Sequence, residues 1–374
     1  MKKFIGIVLI IALVSGVATL NVWLKKRRIE KEYNQAVVLH EEGKTNDAKM
    51  LFEKIKDIRR FNPYKEDALY HYALLADNEG VDDQKVIWEQ ILNETTFEQR
   101  RAVAMMNIAR ISFESQRYDA AKEQLQQLID QYSAVPHPYA MGLYYLGELE
   151  RMQGLRHYLP AREYYKKVIE VNASQASVSL ARARLGEVNI ALLFSPVITP
   201  ESRSYTVNPG DSLAAIANRF NTTIELLKRS NQLTSNFIRP GDQLKVPDVK
   251  WKMEISKKHN TLRLFANDEF FKEYLVGTGK YNKTPVGTFE IINKLTEPVW
   301  YRPEGGVIPY GHPDNLLGTR WMGINFPGYG IHGTWDETSV GKQSSAGCVR
   351  LINSEVEELF LIVTPGTQVL ITDE

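Results

Sequence analysis

Apolar side chains dominate the start of the chain. After Met1, Lys2 and Lys3, an almost uninterrupted apolar run covers residues 4–24, close to the roughly 20 residues that span a bilayer. The run predicts a membrane segment over residues 1–24, either kept as an anchor or removed as a signal peptide. The basic residues at 25–28 would, by the positive-inside rule, keep the remainder in the cytoplasm. The chemistry near the C-terminus favours export instead.

From residue 29 to residue 194 the apolar positions recur with helical spacing, in a sequence rich in Ala, Leu, Glu, Gln and Lys. Three stretches resemble one another and begin at Glu41, Glu114 and Ala161. The first two lie about two repeats of roughly 34 residues apart, which is the tetratricopeptide period. The region therefore resembles a degenerate tetratricopeptide-like array, whose helix pairs must stack to bury their apolar stripes. Such an array acts either as a surface for a protein partner or as a spacer.

A change of composition follows the helical region. Residues 195–203 contain two prolines among polar side chains, which predicts a linker. Residues 204–248 then form a compact pattern, with short strands over 205–207 and 243–247 enclosing two helices. The order predicts a small βααβ unit.

Local capping signals support the two helices of this unit. Asp211 or Ser212 is placed to cap a helix over 213–220, and Thr222 with Glu225 predicts a capping box for a second helix. The unit resembles a LysM domain, and the resemblance implies binding of N-acetylglucosamine-containing glycan such as peptidoglycan. The alternative is a structural unit that has lost its ligand. The residues that carry the resemblance are Tyr205, Val207, Pro209, Gly210, Asp211, Ser212, Leu213, Ile216, Ala217, Leu226, Leu227, Asn231, Pro240, Gly241, Leu244, Val246 and Pro247.

Strand patterns dominate residues 251–374, with Gly-, Pro- and Asn-rich turns between them. A single helix is predicted over 354–362, with Asn353 as the candidate N-cap. The pattern predicts a mainly-β sandwich or barrel at the end of a multidomain chain. The predicted strands cover residues 252–256, 261–265, 270–276, 287–292, 329–332 and 368–372.

Composition narrows the function classes. The chain has 374 residues, a formal net charge of +1 and interspersed acids and bases, which argues against a nucleic-acid surface. Its single cysteine excludes an internal disulfide and a cysteine-based metal site, and we expect neither a metal nor a cofactor. The histidines of the helical region lack metal-ligand spacing and are interpreted as packing or surface residues; they are His40, His71, His137 and His157.

The candidate chemistry lies near the C-terminus. Amide chemistry without a metal needs a nucleophile, a base and donors for the oxyanion. Cys348 supplies the nucleophile, and His332 can take its proton. Gly347 beside the thiol lets backbone N–H groups approach a substrate carbonyl closely. His312, in a Gly/Pro-rich loop, lines a substrate lid or is a surface histidine.

These residues resemble the active-site signature of the L,D-transpeptidase (YkuD) catalytic domain over residues 251–374. One departure is Ala346, where many members of the family have histidine before the Gly-Cys pair, and this removes a possible substrate contact. The matching blocks are Thr284-Pro285-Val286-Gly287-Thr288-Phe289, Gly323-Ile324-Asn325, Tyr329-Gly330-Ile331, His332-Gly333-Thr334 and Ser345-x-Gly347-Cys348-Val349-Arg350.

The resemblance also implies roles for individual residues. The carbonyl of Gly333 orients His332, and the N–H groups of Gly347 and Cys348 form the oxyanion hole. Arg350 either binds a substrate carboxylate or anchors the structure. The remaining implied substrate contacts are Ser345, Ala346, Tyr329 and His312.

The function implied by the resemblance is acyl transfer between peptidoglycan stem peptides, through an acyl-enzyme on Cys348, to give 3→3 cross-links. Hydrolysis of the same intermediate would make the protein an L,D-carboxypeptidase, and a non-catalytic wall-binding scaffold is the alternative from another class. The expected partners are peptidoglycan, the inner membrane at the N-terminal segment and a protein at the repeats. The expected location is extracytoplasmic.

Overall fold

The computed structural model describes residues 2–76, 81–302 and 305–374, without the side chains of residues 2–14, 81 and 82. The chain divides into two compact units. The first unit contains Met1–Leu149 and Glu170–Ser177, and the second contains Glu150–Ile169 and Val178–Glu374.

Helices fill the chain as far as residue 193, as the spacing of apolar residues predicts. In the second of them, Ala48, Phe52 and Ile55 lie on one buried face at intervals of four and three residues. The helices are α1 (Lys2–Glu41), α2 (Thr45–Lys56), α3 (Lys65–Leu75), α4 (Val81–Glu94), α5 (Glu98–Glu114), α6 (Tyr118–Gln131), α7 (Pro136–Met152), α8 (Tyr158–Val171) and α9 (Gln175–Leu193).

The turns between these helices repeat, in agreement with the sequence similarity. Gly43 and Gln116 adopt left-handed backbone angles, with φ of 75° and 58°, two residues before α2 and α6 begin. Gly154 has a φ of 91° before the short 3₁₀ turn that leads into α8. A left-handed residue ends one helix and lets the next fold back against it, so the similar stretches share one turn geometry.

The membrane segment predicted over residues 1–24 falls largely on side chains outside the described part of the chain. Within the part that is described, no helix has the length and apolar character needed to cross a membrane. The anchor and the membrane partner stay predictions.

The LysM-like unit folds as predicted, with β1 (Ser202–Thr206) antiparallel to β2 (Gln243–Pro247) and with helices α10 (Leu213–Arg219) and α11 (Ile224–Ser230) between them. Ser212 caps α10, because its hydroxyl accepts a hydrogen bond from the Ala215 N–H at 3.1 Å. Thr223, rather than the predicted Thr222, caps α11 by accepting from the Leu226 N–H at 3.0 Å. The backbone at Thr223 is extended, so its side chain faces the free N–H groups of the first turn.

The predicted linker over 195–203 is packed into the second unit. Glu201 is buried and pairs with Arg162 of α8, which is equally buried. Lys245 of β2 is 3% exposed and donates to the carbonyls of Leu192 and Ser195 at 2.6 and 3.0 Å. It thus adds a donor to carbonyl groups at the end of α9, and burial lowers its pKa to about 8.

Most strands of the C-terminal domain join one eight-stranded sheet, in the order β13-β11-β10-β7-β14-β3-β4-β5. Reciprocal hydrogen bonds between Gly277, just after β5, and Arg350 of β13 connect the two edges. Of the two forms that the sequence leaves open, a sandwich and a barrel, this closure resembles the barrel. The strands are β3 (Trp251–Ser256), β4 (Thr261–Ala266), β5 (Glu269–Leu275), β6 (Thr278–Gly279), β7 (Gly287–Thr296), β8 (Trp300–Tyr301), β9 (Val307–Ile308), β10 (Arg320–Ile324), β11 (Gly330–His332), β12 (Gln343–Ser345), β13 (Val349–Arg350) and β14 (Gln368–Thr372).

A single apolar core joins this sheet to its neighbours in the second unit. Ile190 and Leu193 of α9 and Leu226 of α11 share a cluster with the side chains of the sheet and of α12 (Asn353–Ile362). Helix α9 lies directly on β5, since a Cβ at Gly186 would lie 2.9 Å from Lys272 Cγ. Each fully buried aliphatic side chain contributes about 1.5–3 kcal/mol, so the core fixes α9, the LysM-like unit and the catalytic sheet as one body.

Candidate active site

Two adjacent parallel strands bring the candidate residues together. In β11 and β13, Ile331 pairs with Val349 and His332 pairs with Arg350. Cys348 immediately precedes β13. Residues 16 positions apart in the chain, from His332 to Cys348, therefore meet at one edge of the sheet.

The thiol and the imidazole both line a cavity of about 770 Å³, a size typical of ligand sites. Its walls are mainly apolar, and the predicted residues Arg350, Ser345, Ala346 and Tyr329 also line it. The other lining residues are Leu295, Pro298, Val299, Trp300, Tyr301, Leu316, Leu317, Trp321, Pro327 and Gly328.

His332 is held as a neutral base. Its Nδ1 lies 2.7 Å from the Gly333 carbonyl oxygen, so Nδ1 carries the hydrogen and Nε2 keeps its lone pair. Trp321, opposite His332 on β10, stacks on the imidazole with ring centroids 5.8 Å apart. Burial lowers the pKa of His332 to about 4; hydrogen bonds to the backbone of Gly333 and Leu317 oppose this shift, and the charge of Arg350 adds to it.

The turn after His332 requires glycine for steric reasons. A Cβ at Gly333 would lie 2.3 Å from Asn353 Oδ1 and 3.0 Å from Val356 Cγ1. The sequence predicts Asn353 as the N-cap of α12, but its side chain does not cap the helix. Its Oδ1 instead accepts a hydrogen bond from the Thr319 N–H at 3.1 Å. The amide thus ties α12 to the loop behind the histidine.

Three hydrogen bonds fix the loop before the thiol. Ser345 Oγ donates to the Cys348 carbonyl at 2.6 Å and accepts from the Gly347 N–H at 3.0 Å. The Gly347 carbonyl accepts from Thr284 Oγ1 at 2.8 Å. Thr284 is itself buried and belongs to the Thr-Pro-x-Gly-x-Phe block, so that block positions the nucleophile loop.

The two backbone donors that the resemblance implies for the oxyanion hole differ in their contacts. The Gly347 N–H donates to Ser345 Oγ. Among the described residues, no hydrogen bond uses the Cys348 N–H. Of the two implied donors, only Cys348 has a free backbone N–H.

The Cys348 thiol contacts a backbone carbonyl in this structure. Cys348 Sγ lies 3.7 Å from the Gly328 carbonyl oxygen, and no hydrogen bond to His332 is found within the described ranges. Burial raises the pKa of the Cys348 thiol, against the opposing effects of a hydrogen bond from the Gly330 backbone and the charge of Arg350. Proton transfer therefore needs a contact between the thiol and His332 that the described hydrogen bonds do not include, and catalytic contacts often tighten only with substrate bound.

Two further predicted residues have clear positions. The backbone of Arg350 is held by Gly277 on one side and by β11 on the other, while its Nε is buried without a hydrogen-bond partner. A donor of this kind is available to a substrate carboxylate. His312 is exposed, lies 4.0 Å from Asp314 Oδ2 and is absent from the described lining of the cavity.

Sequence patterns alone miss several residues of the site. Trp321 and the strand that carries it are not predicted, and Asn353 is assigned to a helix cap. The sequence identifies Thr284 only as part of a motif and indicates no role for its side chain. Among the described residues, no group of three or more His, Cys, Asp or Glu side chains could hold a metal ion.

The reactivity of Cys348 is expected to rise with pH past 9, because burial raises the pKa of the thiol above its usual 9.0. Arg350→Gln removes a positive charge that lowers this pKa, so iodoacetamide should alkylate the variant several-fold more slowly at a given alkaline pH. Alkylation followed by intact mass between pH 6 and 10 measures both effects, with Arg219→Gln as a charge-matched control. A rate that reaches its plateau near neutral pH would instead indicate a thiolate–imidazolium pair.

Comparisons with known proteins define the class. Residues 251–371 match the model of the L,D-transpeptidase catalytic domain (YkuD), residues 205–247 match the LysM domain, and residues 103–134 match a tetratricopeptide repeat. The fold and the site are those of a YkuD-type catalytic domain attached to a LysM domain and a helical region.

Relatives of known sequence give the family. The chain is 35% identical over 176 residues to YkuD of Bacillus licheniformis, which is named as an L,D-transpeptidase; the match covers 45% of this chain and 98% of the relative. YqjB of Bacillus subtilis, named likewise, is 43% identical over 126 residues, covering 32% of this chain and 70% of the relative. The chain belongs to the L,D-transpeptidase family.

Solved structures add little to this assignment. The catalytic domain of an E. faecium L,D-transpeptidase, solved by NMR, is 24% identical with a TM-score of 0.29, over 33% of this chain and 97% of that domain.

Proposed function

We propose that this protein is a peptidoglycan L,D-transpeptidase that acts through an acyl-enzyme on Cys348. The observation that carries the proposal is the cavity of about 770 Å³ lined by Cys348, His332 and Arg350 together. Membership of the L,D-transpeptidase family supports the same class of reaction.

In the first step, Cys348 gives its proton to His332 Nε2 and attacks the carbonyl of the third residue of a tetrapeptide stem. A carbon–sulfur bond forms, the peptide bond to the fourth residue breaks, and His332 delivers the proton to the departing D-Ala amine. The neutral imidazole suits this cycle, because its pKa of about 4 leaves it free to accept a proton at neutral pH. The Cys348 N–H stabilises the oxyanion, and Arg350 binds a substrate carboxylate.

In the second step, the side-chain amine of another stem attacks the thioester, its proton passes to His332, and the thiol is regenerated. The product is a 3→3 cross-link. The apolar walls around Trp300, Leu316 and Trp321 favour an ordered amine over bulk water, because they leave few polar groups to hold water beside the thioester. This favours transfer over the L,D-carboxypeptidase alternative.

The LysM domain supports a location at the cell wall. A glycan-binding unit fused to a stem-peptide enzyme acts on one polymer, and that polymer lies outside the cytoplasm. We therefore place the protein in an extracytoplasmic compartment in contact with peptidoglycan.

Incubation of the full chain with tetrapeptide muropeptide monomers is expected to yield cross-linked dimer as the main product, with release of one D-Ala for each bond formed. Liquid chromatography with mass spectrometry quantifies dimer, tripeptide monomer and D-Ala. Tripeptide monomers alone are the matched substrate control; they lack the leaving residue and should give no dimer. Tripeptide without dimer would identify a carboxypeptidase, and no turnover at all would favour the wall-binding scaffold.

A further inference from the structure

A second cavity, of about 560 Å³, lies between the LysM domain and the catalytic sheet. Asn221, in the turn between α10 and α11, contributes one side, and Glu290, Asn325 and Gln368 contribute the other. The cavity has a predominantly polar lining and is separate from the residues that line the cavity of Cys348. We call it the junction cleft.

The walls of the junction cleft are held in place before any ligand binds. The Asn325 N–H donates to the Glu290 carbonyl at 3.1 Å, and Asn325 Oδ1 accepts from the Glu290 N–H at 3.0 Å. The LysM side is fixed by Thr223, whose hydroxyl donates to the Leu361 carbonyl at 2.6 Å. A pre-formed cleft loses little conformational entropy when it binds.

Several polar side-chain groups of the cleft have no partner among the described residues. Within the described part of the chain, no hydrogen bond or ion pair occupies the amides of Asn221 and Gln368, the Asn325 NH₂ group, the Glu290 carboxylate or the Lys250 ammonium. One acid and one base leave the cleft close to neutral. The donors and acceptors therefore suit a neutral ligand rich in hydroxyl and amide groups.

An aromatic run leads from this cleft to the active site. Phe289 lines the junction cleft, Phe326 lies against it with centroids 5.9 Å apart, and Tyr329 follows at 4.9 Å. Tyr329 lines the cavity of Cys348, and Phe326 is 40% exposed. Exposed aromatic faces pack against the C–H faces of sugar rings, while amides and carboxylates bind the hydroxyls at their edges.

We infer that the junction cleft and the Phe289–Phe326 run form a binding site for the glycan strand that carries the donor stem peptide. The inference rests on the proposed function, which supplies the glycan-linked substrate. Sugars seated in the cleft orient the strand so that its stem extends past Phe326 and Tyr329 to Cys348. Catalysis on glycan-linked stems then gains a contact that a free peptide lacks.

The test compares tetrapeptide stems attached to glycan strands with the same tetrapeptide in free form, using the full chain. The test uses the KM for the glycan-linked tetrapeptide divided by the KM for the free tetrapeptide. The double variant Phe326→Ala, Gln368→Ala should raise this ratio about five- to ten-fold, as expected for the loss of one hydrogen bond and one aromatic contact. Phe61→Ala is the matched control, since Phe61 is 53% exposed in the helical unit. It should leave both KM values unchanged. An unchanged ratio in the double variant would overturn the inference.

A binding measurement separates this inference from the proposed function. Peptide-free glycan strands, prepared by amidase treatment, are titrated against the full chain and against the double variant. The LysM domain is identical in both proteins, so a difference in affinity reports on the cleft and the aromatic run. A weaker affinity of the variant supports the glycan site even where no stem peptide is turned over, and equal affinities refute it.

Discussion

Cys348→Ala is expected to abolish the release of D-Ala from tetrapeptide stems, with a loss of about 10⁴-fold or more. The chain has no second cysteine to replace the nucleophile. Alanine fits the space of the half-buried thiol, so the fold should persist. Intact-mass analysis should detect an acyl adduct on the parent chain after incubation with substrate and none on the variant.

Cys348→Ser is the matched control for this loss. Serine keeps the size and a hydroxyl, but the alkoxide is far less accessible than a thiolate, and turnover should fall nearly as far. Both variants should unfold at the temperature of the parent chain. Turnover by Cys348→Ala at more than a few per cent of the parent rate would disprove the acyl-enzyme.

Gly347→Ala is expected to reduce kcat by roughly 10²–10³-fold, comparable to the removal of one oxyanion donor. A Cβ at this position would lie 2.5 Å from Tyr329 Cε1, in a backbone with a φ of +142°. The Tyr329 ring is part of the cavity wall, so a shift of the ring would deform the cavity. The loop must shift instead, and with it Cys348 and the hydrogen bonds to Ser345 and Thr284.

Gly241→Ala isolates the effect of the clash from that of backbone strain. Gly241 has a φ of +93°, and no heavy atom lies within 4 Å of its added Cβ. Backbone strain should lower the free energy of unfolding of both variants by about 1–2 kcal/mol and so lower their melting temperatures. Only Gly347→Ala should lose activity. Equal kcat values for both variants would contradict the steric argument.

Local patterns predicted the elements of the C-terminal half well. The strand over 368–372 matches β14, because alternation of apolar and polar side chains is a property of a few neighbouring residues. The cap at Ser212 was likewise one of two neighbouring candidates. The candidate nucleophile and base could be proposed from the sequence because the types of these side chains, and the motif around them, limit their chemistry, and the structure places both in one cavity.

Contacts between distant residues escaped prediction. Thr284 reaches the Gly347 carbonyl across 63 positions, and Asn353 reaches Thr319 across 34. The periodicity of apolar residues along the sequence does not indicate such distant pairs. Asn353 also satisfies the local criterion for a helix cap, and only the packed loop next to Gly333 shows why its amide is used elsewhere.

The composition of residues 195–203 does not reveal how this segment packs. The prolines and polar residues of 195–203 indicate a tether, yet the structure buries Glu201 against Arg162 and uses Lys245 to complete the end of α9. The division of the chain into two units falls inside the helical array, because residues 150–169 and the chain from residue 178 onward belong to the second unit. The sequence pattern assigns the last helices to the repeat region, whereas their packing assigns them to the unit that contains the catalytic domain.

The common core of α9, the LysM domain and the catalytic sheet limits how such a protein can be recombined. The Bacillus licheniformis relative is matched over 98% of its length by only 45% of this chain. Here Ile190 and Leu193 have become part of the enzyme's interior. A gene fusion or truncation at the proline-rich segment would cut through that interior, and an exchange of modules would have to keep the last helix pair with the enzyme.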